Sequence, residues 1–238
     1  MKLKVFCKNI LMLTIPCLVS FQAFALDDFQ AAKRIMPSIM KQLEKPSTLY
    51  CGCPLIFSKN RYTPDLKACG YQVRKNAKRA ARIEAEHIMP AWEFGHQLKC
   101  WQEAGRKKCE ADDQKFRMIE GDLHNLYPAV GEVNGDRSNF RYSEWNAQGM
   151  YGQCEMAIDF KARRAQPPKR ARGLISRSYL YMAHKWDIKL SPAQRKLYES
   201  WNKIYPPTKD ECKWNNLVKK TQGDDNTFIS KACNTLTY

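Results

Sequence analysis

The chain has 238 residues and a formal net charge of +16 at pH 7, from 40 Lys and Arg against 24 Asp and Glu. A surplus this large favours a polyanionic partner or an anionic membrane surface, although basic charge that only aids solubility would also explain it. Beyond residue 25, no run approaches the ~20 apolar residues that a membrane span needs, which excludes a membrane-spanning mature protein.

Residues 1–25 have the pattern of a secretory signal peptide. A basic start, an apolar run and a small-residue cleavage site follow one another: Lys2, Lys4 and Lys8, then residues 10–19, then Ala23-Phe24-Ala25. Cleavage before Leu26 would leave residues 26–238 as the mature domain, with a net charge of +13 because three lysines and no acids are removed. A lipoprotein anchor at Cys17 is the alternative, but Pro16 directly before it fits that motif poorly.

Eight cysteines remain in the mature chain: Cys51, Cys53, Cys69, Cys100, Cys109, Cys154, Cys212 and Cys233. An even number in an exported chain predicts four disulfides. Eight cysteines allow on the order of 100 connectivities, and only the pair Cys100 and Cys109 is close enough to suggest a small closed loop. A zinc site at Cys51-Gly52-Cys53 is disfavoured, because a single intervening residue is a poor zinc spacing.

The first predicted element of the mature chain is a helix that Asp27-Asp28 can cap. Its apolar side runs through residues 29–43, and Pro37 within it predicts a kink or a break into two pieces. Residues 75–82 are basic and Ala-rich, which indicates a short helix or turn. Neither a repeat nor a long linker divides the chain, so we expect one domain.

A short apolar run over residues 83–89 predicts a buried strand, which Pro90 ends. Three further segments follow: a loop with helical pieces over 91–109, a second short strand over 122–128, and the start of a helix over 131–139. The predicted order in this region is therefore strand, long loop, strand and helix.

The C-terminal third begins with a basic, proline-broken connection over residues 165–172. Helices are predicted over 174–186 and 192–201, and Ser191 is a suitable N-cap for the latter. We expect cysteines to hold the tail that follows.

Glu86 and His87 lie side by side in the first predicted strand, and Asn134 lies in the polar helix start. Carboxylate and amide oxygens form a hard ligand set for Mg²⁺, and an uncoordinated imidazole is a general base. Adjacent side chains of a regular strand point to opposite faces, so we expect irregular backbone at Glu86-His87. A Glu-His pair alone is a weak signal, and ordinary helix capping explains Asn134 equally well.

Three other histidines have simpler interpretations. We expect His184 to pack within its helix and His96 to face solvent. For His124, a core role and a role in the site fit the sequence equally well.

Together these motifs resemble the endonuclease I family, bacterial periplasmic or secreted non-specific nucleases with a ββα-metal (His-Me finger) active site. The matching segments occur in order along nearly the whole mature chain: residues 50–53, 82–92, 105–109, 121–128 and 131–139. Ile88-Met89 departs from the family, which often has valines there. The resemblance implies an α+β fold: a single, mixed, mainly helical domain with a small sheet, stabilised by disulfides.

The resemblance also implies roles for individual residues. His87 falls on the general base, Glu86 and Asn134 on the metal ligands, and Arg106 on the arginine that steadies the phosphate. Glu120 falls on an acidic position near the site and is the third catalytic candidate. The implied enzyme is a monomeric, exported, Mg²⁺-dependent endonuclease without sequence preference. It would cut double- and single-stranded DNA and RNA to 5′-phosphate ends, and Ca²⁺ would fit the same site.

Basic residues between 161 and 177 are candidates to bind phosphates outside the site, in particular Lys169, Arg170 and Arg172. A solvated charged surface is the alternative interpretation of that segment. Two other functions remain open from the residues alone. One is a non-catalytic, exported basic protein that binds polyanions or membranes, and the other is a metal-dependent phosphoesterase for small substrates.

Overall fold

The computed structural model of the chain describes residues 28–59 and 61–235, so the predicted signal peptide lies outside the described residues. The helices are α1 (Phe29–Met40), α2 (Ala77–Ala80), α3 (Ala91–Gly95), α4 (Lys99–Ala104), α5 (Arg106–Asp112), α6 (Gln114–Glu120), α7 (Gly131–Arg137), α8 (Lys169–Trp186), α9 (Pro192–Ile204), α10 (Lys209–Gln222) and α11 (Thr227–Cys233). The strands are β1 (Leu55–Ser58), β2 (Arg61–Pro64), β3 (Ile83–His87), β4 (Leu126–Val130), β5 (Arg141–Tyr142), β6 (Ala157–Asp159) and β7 (Arg164–Gln166). These elements form one mixed α+β domain that is about half helical, as the sequence predicts.

Helix α1 begins where the sequence predicts, because the Asp28 carboxylate accepts the Ala31 N–H at 2.6 Å. Its inner face buries Ala32 and Met36 in the core. The predicted break at Pro37 is wrong, since one continuous helix runs through it. Pro37 is only half-buried, so water can satisfy the carbonyl group that its missing N–H leaves free.

Strands β3 and β4 form an antiparallel pair at the centre of the molecule, and α7 follows β4 directly. The predicted order of strand, long connection, strand and helix is therefore confirmed, although the connection is mostly helical. The second strand begins later than predicted. Asp122 accepts the His124 N–H at 3.0 Å and starts a 3₁₀ turn over Leu123–Asn125, which delays β4 to Leu126.

The backbone at Glu86-His87 is regular, so the predicted irregularity is wrong. The antiparallel register continues through His87, which lies opposite Leu126, and β3 ends there. The two side chains do lie on different faces of β3. Glu86 is hydrogen-bonded by Tyr50, whereas the His87 ring packs on Phe29. Both reach one cleft because that cleft lies at the end of the strand.

Two smaller sheets complete the fold: the β1–β2 hairpin and a three-stranded sheet in the order β5-β7-β6, which the sequence did not predict. Helix α8 starts at Lys169, so part of the predicted basic connection is helical. Helix α9 has the predicted cap, in which the Gln194 N–H donates to the Ser191 hydroxyl oxygen at 3.2 Å. No helix within residues 28–59 and 61–235 is long and apolar enough to cross a membrane.

Four disulfides confirm the interpretation of the cysteines. They join Cys51 to Cys154, Cys53 to Cys69, Cys100 to Cys109 and Cys212 to Cys233. The short loop predicted for Cys100 and Cys109 is among them, and the tail is held by the last pair.

Candidate active site

A cleft of about 740 Å³ opens at the C-terminal end of β3, beside α7. Its lining contains four of the five predicted catalytic and metal-binding residues, namely Glu86, His87, Arg106 and Asn134. The fifth, Glu120, lies behind the cleft wall. Residues from β3, α5 and α7 are thus brought to one place, although they are far apart in the sequence.

Glu86 is almost completely buried, with 1% of its surface exposed. Its Oε1 accepts hydrogen bonds from the Tyr50 hydroxyl at 2.5 Å and from Nη1 of Arg137 at 2.8 Å. Burial raises the pKa of Glu86 to about 7, and the Arg137 charge opposes that rise. In the described part of the chain, Oε2 of Glu86 accepts no hydrogen bond, which leaves this oxygen available to a ligand.

His87 is held as a neutral imidazole with one defined tautomer. Its Nε2 lies 2.8 Å from the carbonyl oxygen of Glu120, which can only accept, so the ring proton is on Nε2 and the lone pair is on Nδ1. Burial lowers the pKa of His87 to about 3, and the nearby Arg106 charge adds to this effect. The Phe29 ring, 4.4 Å away between centroids, fixes the plane of the imidazole.

Arg106 connects the surface of the cleft to Glu120. Its Nε donates to Oε1 of the buried Glu120 at 2.5 Å and lies 3.1 Å from the Glu110 carboxylate. The Arg106 side chain keeps 38% exposure, so its terminal nitrogens remain accessible from the cleft. Glu120 therefore supports both neighbours: its side chain holds Arg106 and its carbonyl group holds His87. Burial raises the pKa of Glu120 to about 7, against the pull of Arg106.

Asn134 has a defined amide orientation. Its Nδ2 donates to Oε2 of Glu84 at 2.8 Å, which leaves the amide oxygen as the free end of the side chain. Glu84 is itself held by Arg79 and Arg82 at 2.7 and 2.6 Å. Glu84 was not predicted from the sequence, although its position two residues before Glu86 places both carboxylates on one face of β3.

Arg137 is a second residue whose role the sequence analysis missed. It is 1% exposed, and it donates to Oε1 of Glu86 and to the carbonyl oxygens of His87 and Ile88 at 2.8, 2.8 and 2.7 Å. One guanidinium thus fixes both the side chain of Glu86 and the backbone at the end of β3. No local spacing in the sequence indicated this role, because its partners lie in residues 86–88, about fifty residues earlier.

The donor set fits a hard divalent cation. Glu86 and Asn134 each present an oxygen that lacks a hydrogen-bond partner among the described residues, and both line the same cleft. Two protein oxygens with water and phosphate oxygens suit Mg²⁺ or Ca²⁺ and suit zinc poorly. No group of three or more His, Cys, Asp or Glu able to hold a metal occurs within residues 28–59 and 61–235.

The three predicted phosphate-binding residues lie outside the cleft. Lys169 is exposed, whereas the guanidinium of Arg170 donates to the carbonyl oxygens of Thr48 and Leu49 at 3.0 and 2.7 Å. Arg172 forms an ion pair with Glu144. Both arginines thus have intramolecular partners, and their binding of nucleic acid stays a prediction.

The remaining histidines are structural or exposed. His124 is 3% exposed, and its Nε2 donates to the carbonyl oxygen of Asp224 at 2.9 Å, which favours the core role. His96 is partly exposed and stacks on Trp92. The prediction that His184 packs inside its helix bundle is wrong, because its side chain is exposed on α8.

Comparison with known proteins finds the family that the sequence motifs resemble. The Endonuclease I family profile matches residues 38–233. An extracellular deoxyribonuclease of Aeromonas hydrophila is 50% identical over 95% of this chain and 99% of its own. A periplasmic deoxyribonuclease of the same organism is 50% identical over 93% of each chain. Endonuclease-1 of Buchnera aphidicola is 48% identical over 90% of this chain and 84% of its own. The chain therefore belongs to the endonuclease I family.

Proposed function

We propose that this nuclease is an exported, Mg²⁺-dependent endonuclease that hydrolyses DNA and RNA without sequence preference and leaves 5′-phosphate ends. The observation that carries the proposal is the meeting, in one cleft, of a neutral imidazole, two hard oxygens and an accessible guanidinium. Among the described residues, neither Nδ1 of that imidazole nor the two oxygens have a hydrogen-bond partner. A phosphodiester needs these groups, because its attack by water requires a base and compensation of negative charge.

Export is supported by three independent observations. Residues 1–25 have a signal-peptide pattern, and four disulfides are typical of proteins in oxidising compartments. Relatives that are about half identical carry the names extracellular and periplasmic deoxyribonuclease. We propose the periplasm or the medium as the location and a monomer as the active form.

Glu86 and Asn134 would hold the cation, with Ca²⁺ as a substitute for Mg²⁺. When bound, the cation would compensate the negative charge that develops as the phosphodiester is cleaved. The protein prepares this role in two ways. Arg137 and Tyr50 occupy one oxygen of Glu86 and leave the other free, and Glu84 turns the amide oxygen of Asn134 outward.

His87 acts as the general base. The hydrogen bond from Nε2 to Glu120 directs the basic lone pair to Nδ1, which takes the proton from the attacking water. Base catalysis of this kind contributes roughly 10²- to 10⁴-fold. Arg106 binds the phosphate through its terminal nitrogens while Glu120 holds its Nε.

The substrate range follows from what the cleft offers. Cationic side chains such as Lys33, Arg79 and Arg106 line it, and they bind phosphate groups that DNA and RNA share. Phosphate contacts give no information about the base sequence, so we propose that the enzyme cuts nucleic acids without sequence preference. Lys169, Arg170 and Arg172 would extend the phosphate contacts beyond the cleft.

To test this proposal, the purified mature protein is incubated with plasmid DNA and Mg²⁺, with and without EDTA. We expect degradation in Mg²⁺ only, and His87→Ala should lower the rate at least about 100-fold while DNA affinity is retained. His184→Ala is the matched control, because that histidine is exposed on α8 away from the cleft. A plasmid that stays intact but bound in Mg²⁺ would favour the non-catalytic polyanion binder. Activity on small phosphodiesters alone would favour the phosphoesterase.

A further inference from the structure

A second cleft of about 550 Å³ adjoins the candidate active site. Trp92 and Asn139 line both clefts, so the two lie side by side. The second cleft contains none of the proposed catalytic or metal-binding residues. Its size is in the range of pockets that bind small organic groups.

The aromatic pair Trp92 and His96 lines this second cleft. The two rings stack in parallel, with centroids 3.8 Å apart and planes 5° apart. Nδ1 of His96 donates to the carbonyl oxygen of Trp92 at 2.6 Å, which holds the imidazole against one indole face. Trp92 nevertheless keeps 44% exposure, so a large aromatic surface faces solvent beside the proposed site of phosphate cleavage.

Positive charge lies beside the aromatic pair. Arg141, Arg163 and Lys189 line the second cleft, and Lys189, 85% of whose side chain is exposed, forms an exposed ion pair with Asp187. Nη2 of Arg163 donates to Oδ1 of Asn139 at 3.0 Å, so this guanidinium lies at the junction of the two clefts. The acidic lining residue Glu93 is partly buried and accepts a hydrogen bond from a tyrosine, which directs its charge inward.

Exposed aromatic rings next to a cationic groove are the two components of single-strand nucleic-acid binding. We propose that the second cleft binds an unpaired nucleobase of the substrate strand, stacked on the Trp92–His96 pair, while Arg141 and Arg163 contact its flanking phosphates. This inference rests on the proposed nuclease function. Every base has an aromatic face, so the stacking adds affinity for unpaired strands without adding sequence preference.

The test compares wild type, Trp92→Ala and Trp92→Phe on a single-stranded oligonucleotide and on the matching duplex. Base stacking on one ring accounts for at least about a fivefold change in binding. We therefore expect Trp92→Ala to raise KM for the single strand at least about fivefold with little change for the duplex. Trp92→Phe should keep KM for the single strand close to the wild-type value, because it retains an aromatic ring. Binding of the oligonucleotide in EDTA, followed by tryptophan fluorescence, should show the same order without any cleavage.

Phe160→Ala is the matched control, because Phe160 is also 44% exposed but lines neither cleft. It should leave both KM values unchanged, and thermal unfolding of each variant checks the fold. Equal KM values for Trp92→Ala and wild type on the single strand, in a protein that cuts plasmid, would overturn the stacking site alone. Failure of wild type to cut any nucleic acid would instead overturn the proposed function.

Discussion

Glu120 supports the cleft through two different groups, its carboxylate and its carbonyl oxygen. Glu120→Gln keeps the backbone contact to His87 but replaces the charged partner of Arg106 by a neutral one. Hydrogen bonds to charged groups contribute about 1.5–3 kcal/mol, so we expect kcat to fall about tenfold or more. The measurement is the rate of plasmid cleavage in saturating Mg²⁺.

Glu110→Gln is the control for that substitution. Glu110 contacts the same Nε of Arg106 at 3.1 Å, but 40% of its side chain is exposed. Exposed ion pairs contribute little, so this variant should cleave at close to the wild-type rate. Equal losses in the two variants would contradict a specific role for the buried carboxylate.

Glu86, His87 and Asn134 could be selected from the sequence because their side chains suit a metal and a base, whereas Arg106 was selected only through the resemblance to the endonuclease I family. Arg137 could not be selected, because its importance comes from contacts with β3, about fifty residues earlier in the chain. Such a pairing depends on how β3 packs against α7, and no local spacing carries that information.

At the level of elements, the first turn of α7 anchors the segment before α2. Oε1 of Glu132 accepts the N–H groups of Lys75 and Asn76 at 2.6 and 2.5 Å, and Oε2 accepts the Tyr71 hydroxyl and the Arg74 N–H at 2.8 and 3.1 Å. Burial opposes ionisation of Glu132, but these hydrogen bonds outweigh it and lower its pKa.

Glu132→Gln should reduce the free energy of unfolding by about 2 kcal/mol at pH 7, because it removes the charge that these donors share. The folded pKa of Glu132 is depressed, so its contribution is present above the unfolded pKa of about 4.3 and is lost as the pH falls through the folded pKa. Urea unfolding at pH 7 and pH 3 should therefore show a difference from wild type that shrinks in acid.

Glu199→Gln is the control on an exposed helix face, where the Glu199 carboxylate is 3.9 Å from Arg195. It should change stability by less than about 0.5 kcal/mol at either pH. A difference between Glu132→Gln and wild type that stays constant with pH would contradict the assigned ionisation.

Elements with strong end signals were predictable. Ser191 and Pro192 mark the start of α9. Pro90 follows the end of β3 closely and indicates where that strand stops. The β5-β7-β6 sheet was not, because its strands have only two or three residues and show no alternation of apolar and polar side chains. The 3₁₀ turn before β4 was not predicted from the sequence. The Asp122 side chain caps this turn and so stabilises it locally over the extended conformation that was predicted for the same residues.

For the whole molecule, the net charge, which is +16 for the full sequence and +13 for residues 26–238, predicts binding to DNA that weakens steeply with salt. The logarithm of affinity should fall linearly with the logarithm of salt concentration, with a slope of about −0.9 for each phosphate neutralised. Measuring oligonucleotide binding in EDTA from about 50 to 200 mM salt gives this slope. Substitution of one phosphate-contacting residue should reduce the magnitude of this slope by about 1.

Three variants, one at a lysine and two at arginines, distinguish the surfaces that contribute. Arg141→Gln should reduce the slope, because Arg141 is exposed and lines the second cleft. Lys169→Gln and Arg170→Gln report on the basic segment outside the clefts, and Arg170→Gln should have the smaller effect because its guanidinium also binds backbone carbonyl groups. A reduced slope in Arg170→Gln with unaltered folding would show that this arginine reaches the substrate.

The bridge between Cys51 and Cys154 spans 103 positions of the chain and encloses both strands of the central pair. Any single peptide bond between these cysteines can be cut without separating the molecule into two diffusing fragments. Glu86 and Asn134 lie within this covalent ring, and the stretch from Cys100 to Cys109 is spanned a second time by its own bridge. A single nick in the region that carries the proposed chemistry therefore leaves the severed ends tethered to one molecule.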